Sequence, residues 1–361
     1  MCGILGFSLC RPLAPLDVEL GLKHLNSLKH RGPDGEGHAV FSEQGVFIGH
    51  RRLAILDTSD RASQPMSRNG LTLAHNGEIY NFFEIRKKLE ADGAMFTTES
   101  DTEVLLSAWR EGGAGCLGAL DGMFAFAIWD ASRKVLALAR DRIGIKPLYF
   151  CRHSGVFRFA SEIKAILTDP AVPRAVEPSA LNHYLSYLVT PAPLTMFKDI
   201  FKLPPAHVLE LDSGGRMKAR AYWDSVPGMG IDAAAVEGLH GQGLEDYYAT
   251  GILERLEAAI DKRMMSDVPF GVFLSGGIDS SAIVALMTAT WAEDGCIDYV
   301  LSADPVRAGG IRIFEKWESD EALAAHMKAP HMAEFQQKAG DFGITAMSVE
   351  RFDGATASKL I

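Results

Sequence analysis

Several features are scarce in this chain, and each scarcity excludes something. No apolar run approaches the ~18 residues that a membrane-spanning helix requires, and the amino terminus has neither the charged nor the apolar region of a signal peptide. Membrane insertion and secretion are therefore not expected, and the cytoplasm is the expected compartment. The cysteines number five, Cys2, Cys10, Cys116, Cys151 and Cys296, and no two form a CxxC pair. An odd, scattered set argues against a disulfide framework or a zinc site and for reducing surroundings. Positive charge is also short: 36 Lys and Arg against 46 Asp and Glu leave a formal charge of −10. Nucleic acid and anionic membrane surfaces are thus poor partners. Internal repeats are absent. What is present is 361 residues with 47% hydrophobic content, enough for two or three domains with packed cores.

The stretch with the most chemistry is Met1-Cys2-Gly3. Removal of the initiator methionine before a small side chain would leave Cys2 with a thiol and a free α-amine on one residue. The amine titrates at ~7.7–8.0 and a free thiol near ~8.5, so the pair can exchange a proton at neutral pH. The amine can then serve as the base for a thiolate nucleophile. A cysteine at position two is usually incidental, and the weight of this reading comes from residues downstream.

Residues 2–9 read as a buried strand and 17–30 as a helix with Val18, Leu22, Leu25 and Leu28 on one face. His30-Arg31-Gly32-Pro33-Asp34-Gly35 breaks that helix. Residues 46–56 are strand-like. Residues 71–75 form another strand that ends in a turn at Asn76-Gly77 and leads into a helix over 82–91. Ser100-Asp101-Thr102-Glu103 is a capping-box pattern for a helix through Trp109. Residues 123–130, 135–140 and 157–160 read as strands, 161–167 as a helix, and Asp212-Ser213-Gly214-Gly215 as a hairpin turn. Many strands with a few helices suggest a layered α/β sandwich.

Six motifs, in order, resemble the class II glutamine amidotransferase family of N-terminal-nucleophile hydrolases. They are Met1-Cys2-Gly3-Ile4, His30-Arg31-Gly32-Pro33-Asp34, Arg52-Leu53-Ala54-Ile55, Asn76-Gly77-Glu78-Ile79-Tyr80-Asn81, Ser100-Asp101 and Gly122 to Ala127. The resemblance implies an αββα sandwich over residues 2–215 in which Cys2 attacks the side-chain amide of glutamine. By the same resemblance Asn76 and Gly77 supply the oxyanion hole, and Arg52, Leu53, Ala54, Ile55, Glu78 and Asp101 bind the substrate. The chemistry is apt: Arg52 offers a planar fork for an α-carboxylate, while Glu78 and Asp101 suit an α-ammonium. Taken singly, Arg52 could be a surface ion pair and Asn76 a turn former.

In the second half, residues 244–265 read as a helix and 268–274 as a buried strand. The strand ends in Ser275-Gly276-Gly277-Ile278-Asp279-Ser280-Ser281 and runs into a second helix. Strand, glycine-rich turn and helix make an anion cradle, and no lysine follows the glycines as in a Walker A loop. The heptapeptide is similar to the pyrophosphate loop of ATP pyrophosphatases, which implies ATP and Mg²⁺ as cofactors. It also implies an ATP site at Leu274, Ser275, Gly276, Gly277, Asp279 and Ser280. The two halves in this order resemble the glutamine-hydrolysing asparagine synthetase family, with glutamine, aspartate and ATP as ligands.

That second resemblance covers residues 244–291 and implies a truncated, impaired synthetase segment. Residues 293–361 resemble half of an antibiotic-biosynthesis-monooxygenase domain, a partial ferredoxin-like α+β tail with strands at 296–302 and 311–317. Exposed edges in such a tail would offer strand pairing to a second copy, a homodimer. His326 and His331 read as helix-end residues rather than metal ligands. Two other readings stand beside the synthetase one: a glutaminase without acceptor chemistry, and a non-catalytic dimerising module.

Overall fold

The computed structural model describes residues 1–226, 233–268, 283 and 324, and the backbone of residues 296–303 and 311–317. The chain divides into two compact units, residues 1–252 with 262–270 and residues 253–261 with 271–361.

The first unit opens with β1 (Gly3–Ser8), α1 (Pro15–Asn26), β2 (Gly35–Phe41), β3 (Val46–Arg52), β4 (Met66–Arg68) and β5 (Leu71–Ile79). Then come α2 (Phe82–Ala91), α3 (Asp101–Gly112), β6 (Gly122–Asp130), β7 (Val135–Arg140), β8 (Tyr149–His153) and β9 (Val156–Ala160). The series continues with α4 (Ile163–Ile166), α5 (Pro178–Tyr187), β10 (Ile200–Lys202), β11 (His207–Asp212), β12 (Met217–Ala221) and α6 (Ala233–Val236). A longer helix, α7 (Gln242–Arg263), follows, and its residues 253–261 are counted with the second unit. Two six-stranded antiparallel sheets result, in the orders β10-β8-β9-β1-β3-β2 and β12-β11-β7-β6-β5-β4.

Period-two alternation stacks these sheets. In β6, Ala125, Ala127 and Trp129 join Ile4 of β1, Ile48 of β3 and Phe159 of β9 in one core. The intervening Phe124, Phe126 and Ile128 join Leu105 and Trp109 of α3 in a second. On β1, Leu5 and Phe7 turn away from Ile4 to pack on Leu25 of α1 and Ile166 of α4. The layers are therefore helices, sheet, sheet, helices: the αββα sandwich expected from the sequence. Apolar burial of this kind contributes ~25 cal/mol per Å² removed from water, and the inner strands are apolar on both faces as that position demands.

Most predicted elements recur, with instructive differences. The helix over 82–91 coincides with α2, whereas the expected turn at Asn76-Gly77 is strand, since β5 continues to Ile79. Gly77 is paired with Phe124, and a Cβ there would lie 2.1 Å from the Met123 carbonyl oxygen. Close approach of two strands, not a turn, is what demands glycine. Ser100 caps α3 by accepting the Thr102 N–H at 3.2 Å, but Glu103 does not close a capping box. Its carboxylate reaches farther back to the N–H groups of Thr97 and Thr98, at 3.0 and 2.8 Å. The strand expected over 46–56 stops at Arg52, and the helix expected over 161–167 contracts to α4.

In the second unit, β13 (Cys296–Ala303) and β14 (Ile311–Trp317) pair antiparallel, matching the two strands expected there. The glycine-rich loop at 275–281 lies outside the described residues, as do two further elements that the tail sequence suggests, a helix capped by Ser319 and a strand over 344–352.

Candidate active site

Register places the nucleophile candidate. In the β1–β3 pairing Gly3 faces Arg51, so Cys2 continues the ladder opposite Arg52. Cys2 shares the parity of Ile4 and Arg52 that of Ile48, so both side chains belong to the face turned toward the other sheet. Across that gap, Asn76 and Glu78 share the parity of Ala74, which lies in the inter-sheet core. His50 spans the two layers, its Nε2 lying 3.0 Å from the His75 carbonyl oxygen. Alternation thus converges Cys2, Arg52, Asn76 and Glu78 on one gap.

The Cys2 thiol is held by Leu53: the Leu53 N–H donates to Sγ at 3.3 Å, and the thiol donates to the Leu53 carbonyl at 3.5 Å. Arg31 Nε donates to the Cys2 carbonyl at 2.9 Å, while its Nη1 bonds Glu162 at 3.0 Å. Its Nη2 is buried without a hydrogen bond. Asn76 is likewise buried, and its Nδ2 donates to no atom. A buried donor left open costs about 1–3 kcal/mol, so an unspent amide beside a thiol is a candidate reaction site.

The edge of β5 supplies more. The Phe124 N–H donates to Asp141 Oδ2 at 3.2 Å and its carbonyl accepts the Asp141 N–H at 2.8 Å. Both backbone groups of Phe124 therefore face away from β5, and the Gly77–Phe124 pair is a non-hydrogen-bonded one. Alternation then sends the N–H groups of residues 75, 77 and 79 to the opposite edge. There His75 donates to Gln64 Oε1 at 2.6 Å and Ile79 to Asp101 Oδ2 at 2.9 Å. The Gly77 N–H lies between them, and no side chain among the described residues takes it.

The remaining expected residues are placed as follows. Both terminal nitrogens of Arg52 are turned to a loop, with Nη1 2.9 Å from the Ser59 carbonyl and Nη2 bonded to the Asp57 carbonyl. Ala54 donates its N–H to Asp34 Oδ2 at 2.9 Å, and the Ile55 carbonyl accepts the Asp267 N–H at 3.0 Å. Leu53 thus touches the thiol while Ala54 and Ile55 are anchored away from it.

Burial governs the titrating groups. It pushes the Cys2 thiol up, opposed by the Leu53 hydrogen bond and the nearby amine. It raises Glu78 as well, against the pull of Lys146, and lifts the Asp101 carboxyl to about 6. The terminal amine, on Met1 here, falls below its ordinary value of 8.0, first by desolvation and then through Arg31 and Lys146. Both shifts favour the neutral forms, so burial leaves a free-base amine beside a thiol that keeps its proton until substrate arrives.

Sequence reasoning assigned no role to Lys146, which is buried, or to Arg31, which bonds the Cys2 carbonyl. The available signal for Lys146 was one cation in the run Ile143-Gly144-Ile145-Lys146-Pro147-Leu148 directly after a buried strand. Leu274, Ser275, Gly276, Gly277, Asp279 and Ser280 lie outside the described residues. Among those described, no group of three or more His, Cys, Asp or Glu could hold a metal ion, and no helix is long and apolar enough to cross a membrane.

Comparison with known families decides the affiliation. The glutamine amidotransferase domain family matches residues 1–223, well over half of the chain. The chain belongs to that family. A second family, asparagine synthase, matches residues 251–337. That range runs past Trp291, where the sequence reading ends the synthetase segment. Similar curated proteins include asparagine synthetase [glutamine-hydrolyzing] 3 of Bacillus subtilis, 35% identical over 300 residues, which are 82% of this chain and 46% of the relative. Asparagine synthetase [glutamine-hydrolyzing] 1 of the same organism is 37% identical over 290 residues, 79% of this chain and 44% of the relative. Amidase chry2 of Gibberella zeae is 34% identical over 266 residues, 73% and 38% of the two chains. The chain thus spans about half the length of the curated relatives it matches. A similar solved structure, glutamine phosphoribosylpyrophosphate amidotransferase from B. subtilis, aligns over 62% of this chain and 50% of that chain, with TM-score 0.47 and 24% identity.

Proposed function

We propose that residues 2–215 hydrolyse glutamine to glutamate and ammonia with Cys2 as the nucleophile. The observation that carries this reading is the buried, unbonded Nδ2 of Asn76, facing the gap toward which Cys2 also points. Once Met1 is removed, the α-amine of Cys2 takes the thiol proton as Sγ bonds to the amide carbon. The developing oxyanion accepts hydrogen bonds from Asn76 Nδ2 and the Gly77 N–H. The carbon–nitrogen bond then breaks, the amine returns its proton to the leaving ammonia, and water hydrolyses the glutamyl thioester. Glu78 and Asp101 attract the substrate's α-ammonium, and Arg52 together with residues 53–55 receives its carboxylate end.

The ammonia would serve an ATP-dependent amidation of aspartate to asparagine, supported by the asparagine synthase match at 251–337. This reading carries ATP and Mg²⁺ as cofactors, aspartate as acceptor, the cytoplasm as compartment and a homodimer as assembly. Its domains are 2–215, 244–291 and 293–361. No step is derived at the ATP site, whose residues lie outside those described. The test is glutamate release from glutamine by the purified chain, with and without ATP and aspartate, followed by a search for asparagine. Release of glutamate that Cys2→Ala abolishes supports the reading, and no release from a Met1-free chain overturns it. Glutamate release without asparagine selects the glutaminase-only alternative.

A further inference from the structure

The loop that follows β3, residues 53–59, is organised around Asp57. That residue sits at φ +47, in the left-handed region, which aspartate tolerates better than most side chains. All of its polar groups are engaged. Its carbonyl accepts Arg52 Nη2, next to the 2.9 Å bond from Arg52 Nη1 to the Ser59 carbonyl. Its Oδ1 accepts the Ser59 N–H at 3.2 Å and the Ser59 hydroxyl at 2.5 Å, and its Oδ2 accepts the Glu99 N–H at 2.9 Å. Its own N–H donates to Asp267 Oδ2 at 2.6 Å. Asp267 answers in the opposite sense, its N–H donating to the Ile55 carbonyl at 3.0 Å. Two bonds of opposite direction fix both the place and the orientation of the 55–57 backbone.

Asp267 lies beyond the amidotransferase match at 1–223 and within the asparagine synthase match at 251–337. Residues 262–270 nevertheless count with the first unit, and they are pinned to it. Lys262 Nζ bonds Asp121 Oδ2 at 2.7 Å, the Arg263 guanidinium lies 4.7 Å from the centre of the Tyr80 ring, and Met265 packs on the core that α3 shares with β6. Asp267 itself is exposed, so its bonds compete with water and add little to global stability. What they supply is a fixed loop. Resting on the glutaminase reading above, we propose that Asp267 is a positioning residue for glutamine, holding Asp57 so that the Asp57 and Ser59 carbonyls set the plane of the Arg52 fork. Those carbonyls take two of the five N–H donors of a guanidinium. The others bond nothing else among the described residues and can meet a carboxylate as a bidentate pair. A guanidinium already restricted in this way binds a carboxylate at a smaller entropic cost than a mobile one. The glutamine pocket thus takes part of its support from a segment that matches the other family.

The test compares the full chain as wild type, Asp267→Ala, Asp267→Asn and Lys262→Ala, with thermal melts to establish folding. Alanine removes the acceptor of the Asp57 N–H but keeps the backbone bond to Ile55, whereas asparagine retains an acceptor oxygen at the same reach. Expected in Asp267→Ala is a KM for glutamine raised about tenfold with kcat nearly constant, the signature of lost ground-state binding. That is the low end for a hydrogen bond to a charged group. Asp267→Asn should recover most of the affinity. Lys262→Ala, which loosens the same segment away from the loop, should leave KM unchanged. Hydrogen exchange in the peptide covering 53–59 should quicken in Asp267→Ala. Calorimetry with glutamine in a Cys2→Ala background, where no turnover intervenes, should show the same weakening. Unchanged affinity or unchanged exchange in a folded Asp267→Ala chain overturns the proposal. So does an equal loss in Lys262→Ala, which would make docking of the whole segment responsible, or in Asp267→Asn, which would assign the effect to charge alone. Glutamine binding that depends on Asp267 in a chain whose wild type releases no glutamate would overturn the glutaminase reading alone.

Discussion

The Ile79 N–H donates to Asp101 Oδ2 at 2.9 Å, joining the last residue of β5 to the first residue of α3. The carboxylate is thus held at the rim of the candidate site by the strand that also carries Asn76 and Gly77. Burial lifts its pKa to about 6, against an ordinary 3.8. If Asp101 attracts the α-ammonium of glutamine, kcat/KM should fall as pH drops through about 6. Asp101→Asn should lose that limb and raise KM by about 10–100-fold, the range of a lost hydrogen bond to a charged group. The stability effect has the opposite direction. A carboxyl raised in the fold stabilises it below the ordinary value, and that contribution is lost as pH rises through about 6. The stability of wild type relative to Asp101→Asn should therefore increase on acidification, by on the order of 3 kcal/mol. Paired pH-dependent melts and pH–rate profiles measure both.

Asn76→Ala should separate catalysis from folding. The Nδ2 of Asn76 is buried and unbonded, so removing it relieves an unsatisfied donor and should leave the melting temperature unchanged or higher. An oxyanion donor acts in the transition state, so kcat should fall by about 10²–10³ with KM nearly constant. A variant with normal kcat and raised KM would mean that Asn76 holds ground-state glutamine instead.

Much of this arrangement was legible in the sequence, because local patterns encode it. The continuous apolar run at 123–129 marked a buried strand, and 82–91 showed helical spacing. The cysteine at position two pointed to the thiol before any fold was known. Legibility failed where long-range contacts decide. Gly77 reads locally as a turn former after asparagine, whereas its need for glycine comes from the Met123 carbonyl across the ladder. Glu103 stands three residues after Ser100, as in a capping box, but the backbone of 97 and 98 curls within its reach first. Lys146 had no reading of its own, because its burial depends on the loop that Asp141 and Arg140 hold against β6.

Gly77→Ala tests the packing argument. A methyl group 2.1 Å from one backbone oxygen and 2.6 Å from the Phe124 Cα has no flexible side chain to push aside. The two strands must separate, at a cost of about 1–3 kcal/mol or more, and the Gly77 N–H moves with them. Lower melting temperature and lower kcat should appear together. An unchanged melt would mean that β5 and β6 can part freely at this pair.

Cys2→Ala and retention of Met1 should abolish the same activity for different reasons. Alanine removes the nucleophile while losing only the weak thiol contacts to Leu53, so the fold should weaken by less than about 1 kcal/mol. Met1 is 55% exposed, accessible to removal, and while it remains the Cys2 nitrogen is an amide that cannot accept the thiol proton. An extension that blocks its removal should leave the melt and slow iodoacetamide alkylation intact yet eliminate glutamate release. Mass spectrometry of the amino-terminal peptide identifies which form is present in each assay. Normal turnover by a form shown to retain Met1 would rule out the α-amine as the base and leave the thiol needing another proton acceptor.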